Sequence, residues 1–358
     1  MKLYIITGEP SGDLHAANIV KEIKKKDNIS IRAWGGDKLM EEGVDIARNI
    51  NKTSFMGFLD VILNIRQVYD NINFCKQDII NYNPDLVLLV DYPGFNLKIA
   101  KFCKKNNIRV IYYIAPKVWA WNSGRINKIR KYIDKLLVIF PFEKRYFKQN
   151  LIDSDYVGNP VTDLISESTY KVLNYKKPII ALLPGSRKQE IQSILPKMVE
   201  AIDNFKEYQF IIAATNNFTE LFYNKYISDY DNIDIIYNQT HNILLNSKAA
   251  LIASGTANLE ASLLKVPQIV CYHTHWFNYF LGRIVIKTNY ISLPNILIDK
   301  KVIPELIQET LNKENITIEL KNLIEDKQDV NYNYDKLISI LGDNKSYYNV
   351  ANTILGYL

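Results

Sequence analysis

What most constrains this chain is a local pattern that recurs along it: a short apolar run rich in β-branched residues, a turn, then a stretch of helical period. The clearest instance is Ile179 to Glu190, IIALLPGSRKQE. A strand that breaks at Gly185 and restarts as a helix leaves backbone N–H groups unpaired at the turn, with the positive end of the helix dipole behind them. Such a turn is a ready anion site, to which Gly185 lends its backbone, Ser186 a hydroxyl and Arg187 a planar cationic fork suited to phosphate. The same residues also fit an ordinary strand-to-helix connection with a solvated arginine.

The pattern predicts strands at Leu3–Thr7, Ile31–Trp34, Leu86–Val90, Arg109–Ile114 and Lys135–Phe140 in the first half, with helices from about Asp13, over Leu97–Lys105 and over Phe142–Gln149. A second series follows at Ile179–Leu183, Gln209–Ala213, Ile233–Tyr237, Ala249–Ala253 and Gln268–Tyr272. Strands alternating with helices in this way form parallel sheets covered on both faces, so the expected class is α/β with two doubly wound domains. At 358 residues the chain is long enough for two such cores. The Pro-, Ser- and Asn-containing stretch from Asn159 to Lys177 is the expected connection. The expected domains are 1–165 and 166–335, followed in 336–358 by C-terminal helices, near Asp335–Leu341 and Ser346–Leu358, one of which crosses back to the first domain by analogy with two-domain folds of this kind. Tandem domains of this class normally take ligand in a cleft facing the carboxyl ends of both sheets.

Composition excludes several classes. With 47% hydrophobic and 23% charged residues the chain is neither disordered nor membrane-like. No apolar run reaches the roughly 18–20 residues a membrane span needs, and the chain opens on a strand pattern, so a cytoplasmic location is expected. The net charge of +6 favours anions in general, but the lysines are spread evenly, so no nucleic-acid partner is expected. Cys75, Cys103 and Cys271 lack metal or redox spacing.

The turns at strand ends carry the candidate chemistry. Gly8-Glu9-Pro10-Ser11-Gly12-Asp13-Leu14-His15 is neither the dinucleotide fingerprint nor a P-loop, which argues against a nicotinamide dehydrogenase and a P-loop ATPase. Gly8 and Gly12 allow close backbone approach to a ligand, with Ser11, Asp13 and His15 beside them; the alternative is a tight turn with Ser11 or Asp13 capping the helix. Asp91 ends an apolar strand, where partial burial raises a carboxylate toward a general-base range, although a helix cap near Asn96 fits as well. Ser254, Gly255 and Thr256 form a second anion cradle, and Glu260, one helical turn on, suits ribose hydroxyls or plain solvent. Asn295 follows a polar break and has donors and acceptors for a base or a phosphate. His273 and His275 lack a third metal ligand, and the Asp153–Asp155 and Asp229–Asp231 triplets read as chance, so no metal site is expected.

Taken together and in order, GEPSGDLH (8–15), VDYPGFN (90–96), APKVWAW (115–121), FPFE (140–143), LLPGSR (182–187), SGTANLE (254–260) and KTNYISLPN (287–295) resemble the lipid-A-disaccharide synthase family, inverting glycosyltransferases of the GT-B fold. The resemblance spans about residues 3–300. It implies UDP-2,3-diacylglucosamine as donor, 2,3-diacylglucosamine 1-phosphate (lipid X) as acceptor, UDP as leaving group and a β-1,6 linkage, with no cofactor and no metal. It also implies work at the cytoplasmic face of the inner membrane of a Gram-negative type bacterium. Asp91 matches the family's proposed base and Arg187 its essential donor-side arginine. One departure is Gly94, where the family often has a second Asp.

Acylated substrates imply an apolar approach. Phe55 and Met56, with Phe58, Leu59, Ile62 and Leu63, form one candidate; Trp276, Phe277 and Phe280, with Leu281, Ile284 and Val285 and the flanking Arg283 and Lys287, form another with the pattern of an interfacial helix. Such a stripe is equally the pattern of a core helix. The competing readings are another UDP-sugar enzyme on the same frame, such as a 2-epimerase or the glycosyltransferase of peptidoglycan synthesis, and a nucleotide-sugar binding protein without catalysis. An oligomer is compatible with all of them.

Overall fold

The computed structural model describes residues 1–50, 65–120, 123–167, 170–276, 279, 288–325, 328–342 and 345–358. Phe55, Met56, Phe277 and Phe280 lie outside them, as do the other members of their two apolar stripes except Trp276. The chain divides into two compact units, Met1–Asp163 with Asp343–Leu358, and Leu164–Gly342.

The first unit carries seven strands: β1 (Lys2–Ile6), β2 (Ser30–Gly35), β3 (Asp45–Asn49), β4 (Leu86–Val90), β5 (Arg109–Tyr113), β6 (Lys135–Val138) and β7 (Ser154–Tyr156). They form one sheet in the order β3-β2-β1-β4-β5-β6-β7, every pair parallel. β4 is buried along its whole length, as a central strand with helices on both faces must be. The second unit carries β8 (Ile179–Leu183), β9 (Gln209–Ala214), β10 (Ile233–Tyr237), β11 (Ser247–Ala253), β12 (Gln268–Tyr272) and β13 (Glu305–Ile307), in the order β10-β9-β8-β11-β12-β13, again all parallel. The chain's direction of winding reverses at the β1/β4 pair of one sheet and at the β8/β11 pair of the other. Loops leaving adjacent strands at such a reversal diverge to opposite faces and leave a crevice at the carboxyl ends, where open α/β sheets take their ligands.

Of the two C-terminal helices, one crosses back to the first unit. Gln328–Leu341 belongs to the second unit, where Tyr334 is fully buried and its hydroxyl donates to the Val266 carbonyl at 3.2 Å. Ser346–Tyr357 belongs to the first unit and buries Tyr347, Val350, Ala351 and Ile354. Asp163 caps it by accepting the Tyr347 N–H at 3.0 Å, and Asn349 donates to the Val157 carbonyl at 3.1 Å. The expected connection, Asn159–Lys177, includes the Pro160–Ser166 helix.

The Asp153–Asp155 triplet has a structural use. Lys135 on β6 pairs with both carboxylates at 2.8 Å and so ties the short edge strand β7 to its neighbour. Cys75, Cys103 and Cys271 are all buried and unbridged.

Candidate active site

In the first unit the two turns at the reversal point touch. Gly8 follows β1 and Tyr92 follows β4, and a Cβ on Gly8 would fall 2.1 to 2.5 Å from atoms of the Tyr92 ring. Only glycine lets that ring lie against the backbone. Asp91 and Tyr92 both adopt left-handed backbone, at φ 46° and 49°, which costs an ordinary side chain roughly 1–2 kcal/mol each. The surrounding bonds fix that conformation: the Asp91 N–H donates to the Tyr113 carbonyl at 3.0 Å, and its own carbonyl accepts from Asn96 Nδ2 at 2.7 Å and from the Tyr112 hydroxyl. Asn96 therefore braces the Asp91 backbone, and the helix itself starts at Pro93 with Tyr92 as its N-cap. Strain held by converging bonds at a strand's carboxyl end is a mark of functional turns.

The Asp91 carboxyl is half-buried and sits above the ordinary carboxylate range, chiefly through burial and then through the negative Glu9. Lys117 and the Tyr92 amide pull the other way. Neither Glu9 nor Lys117 stands out in the sequence, because their effect on Asp91 depends on three separate loops meeting.

Asp13 is committed elsewhere than a ligand contact. It is 3% exposed, and its two carboxylate oxygens accept the Gly36 N–H at 2.6 Å and the Lys38 N–H at 2.9 Å. It thus closes the loop after β2, not the start of its own helix, whose N-cap is Glu9 with no side-chain bond. His15 Nδ1 lies 2.9 Å from the Tyr347 hydroxyl of the last helix, and burial holds its imidazole down at about 4. Gly12 packs on Thr7 and Val90 at ordinary contact distance, while Ser11 is exposed in the helix's first turn. At Gly94 a Cβ would meet nothing within 4 Å, so the space for the family's second side chain is open.

In the second unit the loops after β8 and β11 leave adjacent strands. Gly185 has φ 109°, and a Cβ there would fall 2.7 Å from Glu190 Oε2, so the turn closes only with glycine. Arg187 is the N-cap of the Lys188–Glu200 helix; its side chain is exposed and approaches Glu190 at 3.8 Å. Ser186 is exposed beside it. On the neighbouring loop Gly255 and Thr256 are exposed, the Gly255 N–H donates to Asn258 Oδ1 at 2.9 Å, and the Ser254 hydroxyl donates to the Ile291 carbonyl at 3.3 Å. Glu260 is half-buried and paired at 3.1 Å with His241 Nε2, a partner on a separate helix that no motif marks.

Asn295 is not available as a ligand contact. It is 0% exposed; its Nδ2 donates to the Ile303 carbonyl at 3.0 Å and to Glu305 Oε1 at 2.8 Å, and its Oδ1 accepts the Val302 and Ile303 N–H groups at 2.8 and 2.9 Å. All four hydrogen-bonding positions of the amide are filled. Glu305 also accepts from Ser292, so the polar break at Ser292–Asn295 is a buried brace between β13 and the helix Leu293–Ile298. Trp276 is 69% exposed. Among the described residues no three His, Cys, Asp or Glu side chains gather as a metal set.

Two parallel sheets of this order, each with candidate ligand turns at its reversal point, define the two-domain GT-B class. Solved structures agree on the fold: the glycosyltransferase of kitacinnamycin covers 100% of this chain and 99% of its own at a TM-score of 0.73 with 9% identity, and an S. aureus MnaA–UDP co-structure covers 100% and 97% at 0.70 with 15% identity. The family model described as lipid-A-disaccharide synthetase matches residues 3–351. Lipid-A-disaccharide synthases of Syntrophus aciditrophicus (36% identity over 88% of this chain and 86% of theirs) and Francisella philomiragia (37% over 93% and 92%) are similar throughout. The chain belongs to the lipid-A-disaccharide synthase family and is a glycosyltransferase of lipid A biosynthesis.

Proposed function

We propose that the protein transfers 2,3-diacylglucosamine from UDP-2,3-diacylglucosamine to the 6-hydroxyl of 2,3-diacylglucosamine 1-phosphate, releasing UDP and inverting the anomeric carbon. The observation that carries this reading is Asp91: a half-buried carboxylate, raised by its surroundings, on a braced left-handed turn at the reversal point of the first sheet. A base must hold a proton only briefly, and a carboxylate above its usual range does so better than a solvated one. Asp91 takes the proton of the acceptor hydroxyl as that oxygen attacks the anomeric carbon and the bond to UDP breaks. Arg187, the N–H groups of the turn at Gly185–Ser186 and the N–H of Thr256 at the start of its helix meet the charge growing on the diphosphate. Glu260 receives the ribose hydroxyls, with His241 fixing its orientation. Gly8, Gly12 and Ser11 form the acceptor side. No metal or other cofactor is assigned a step.

Asp13 and His15 fit this reading as supports, since the first caps a neighbouring loop and the second faces the last helix. Exposed Trp276 supports contact with the membrane surface from which acylated substrates come. No helix among the described residues is long and apolar enough to cross a membrane.

The test is incubation with labelled diacyl donor, with and without the acyl monosaccharide phosphate. Disaccharide and acceptor-dependent UDP release support the transferase. Donor isomerised without acceptor would mark a 2-epimerase, and binding without turnover a non-catalytic binding protein.

A further inference from the structure

Glu143 is a buried carboxylate that the transfer chemistry leaves without a part. It is 1% exposed, in the first turn of the helix Pro141–Gln149 that follows β6. Its Oε2 accepts the Ile139 and Phe140 N–H groups at 3.2 and 3.1 Å, which closes the start of that helix. Helix closure accounts for one oxygen. The other, Oε1, accepts the indole N–H of Trp119 at 2.9 Å, from the loop that follows β5. The same helix holds that loop twice more: the Trp119 ring packs edge-on against Phe142 with centroids 4.9 Å apart, and the Tyr146 hydroxyl donates to the Val118 carbonyl at 3.3 Å. β5 ends against Asp91, whose N–H donates to the Tyr113 carbonyl at 3.0 Å, and between that end and these anchors lies Lys117, exposed, whose charge favours the ionised forms of both Asp91 and Glu143.

A lysine on a loop is a long, mobile cation, and its effect on a carboxylate depends on where the loop holds it. We propose that Glu143 is a positioning residue for the transfer: through Trp119 it pins the Ala115–Ala120 loop so that Lys117 stays beside Asp91. The inference rests on the reading of Asp91 as the base. The groups that bear on Asp91 are Glu9 on the turn after β1, Tyr92 beside it, Tyr112 on β5 and Lys117 on the pinned loop. Of these Lys117 is the cation that offsets Glu9. Burial pushes Glu143 itself up to about 7.

The test is the pH profile of kcat/KM for Lys117→Met, Trp119→Phe, and the two combined. Trp119→Phe removes the indole N–H while keeping an aromatic ring, so folding is spared. Without the nearby cation Asp91 holds its proton to higher pH, so the acid limb of each single variant moves upward and the rate at a pH on that limb falls about threefold relative to the alkaline plateau. Because both act through one lysine, the double variant matches Lys117→Met within about twofold. An unshifted limb in Trp119→Phe, or a loss equal at every pH, would overturn the proposal. So would a double variant whose losses multiply. Asp91→Asn run alongside separates the two readings: turnover surviving in it removes the base, whereas its loss together with an unmoved limb in Trp119→Phe removes only the clamp.

Discussion

At the scale of single residues, what a side chain is near in sequence says less than what it is bonded to. Asn295 sits in a motif that invites a ligand role, yet its amide is filled by Val302, Ile303 and Glu305. Asn295→Ala leaves two buried N–H groups, a carbonyl and part of a carboxylate unpaired, and is expected to cost about 2–5 kcal/mol in urea unfolding. The KM for donor in the folded fraction is expected to stay within about threefold, by the same reasoning that its amide faces protein and not ligand. A raised KM at full stability would return Asn295 to the binding site. Asp13 and Glu260 teach the same lesson, since Gly36 and Lys38 reach the first, and His241 the second, from other elements of the fold. What was readable was the place of each turn: Gly8, Asp91, Gly185 and Gly255 end or follow strands that the apolar pattern marks plainly. Their partners were not readable, because loop-to-loop distances are set by sheet order, which no single turn encodes.

At the scale of elements, strands that carry an apolar run are legible, the edge strand Ile233–Tyr237 among them, and short strands without one are not. Leu86–Val90, Ile179–Leu183, Ile233–Tyr237 and Gln268–Tyr272 fall where their apolar runs predict. Asp45–Asn49 and Ser154–Tyr156 are rich in polar residues and Glu305–Ile307 is three residues long, so none of these edge strands carries an apolar run that marks it. The helix Pro93–Lys105 offers an element-level test. Gly94 lies in its first turn with open space around the position of a Cβ, so Gly94→Ala is expected to raise stability by up to about 1 kcal/mol in thermal unfolding. A loss would mean that the turn needs glycine for its backbone. The first and last helices of the first unit offer another. His15 is held near 4 in the folded protein against 6.5 for a free imidazole, so the unfolded chain takes up a proton the folded one refuses. Stability is therefore complete above pH 6.5 and is lost as pH falls toward 4. His15→Gln is expected to flatten that part of the curve, measured as unfolding midpoints at pH 7 and pH 5; an unchanged slope would place the His15 ring in solvent.

At the scale of the whole molecule the chain makes two units, the first of which takes back the last sixteen residues, Asp343–Leu358. Length and the repeated strand-helix pattern make the pair of domains legible, but which of the two C-terminal helices returns to the first unit is not, since the partners of a helix face are set by the fold. Ending the chain after Gly342 removes the buried Tyr347, Val350, Ala351 and Ile354 and is expected to cost the first unit of order 5 kcal/mol, read as the loss or lowering of one calorimetric transition. A transition that stays in place would show the first unit complete without its last helix. The account as a whole turns on one side chain. In Asp91→Asn, with turnover and UDP affinity measured on the same preparation, kcat is expected to fall by about a hundredfold or more while UDP binds as in the parent. Near-normal turnover in that variant would contradict the account.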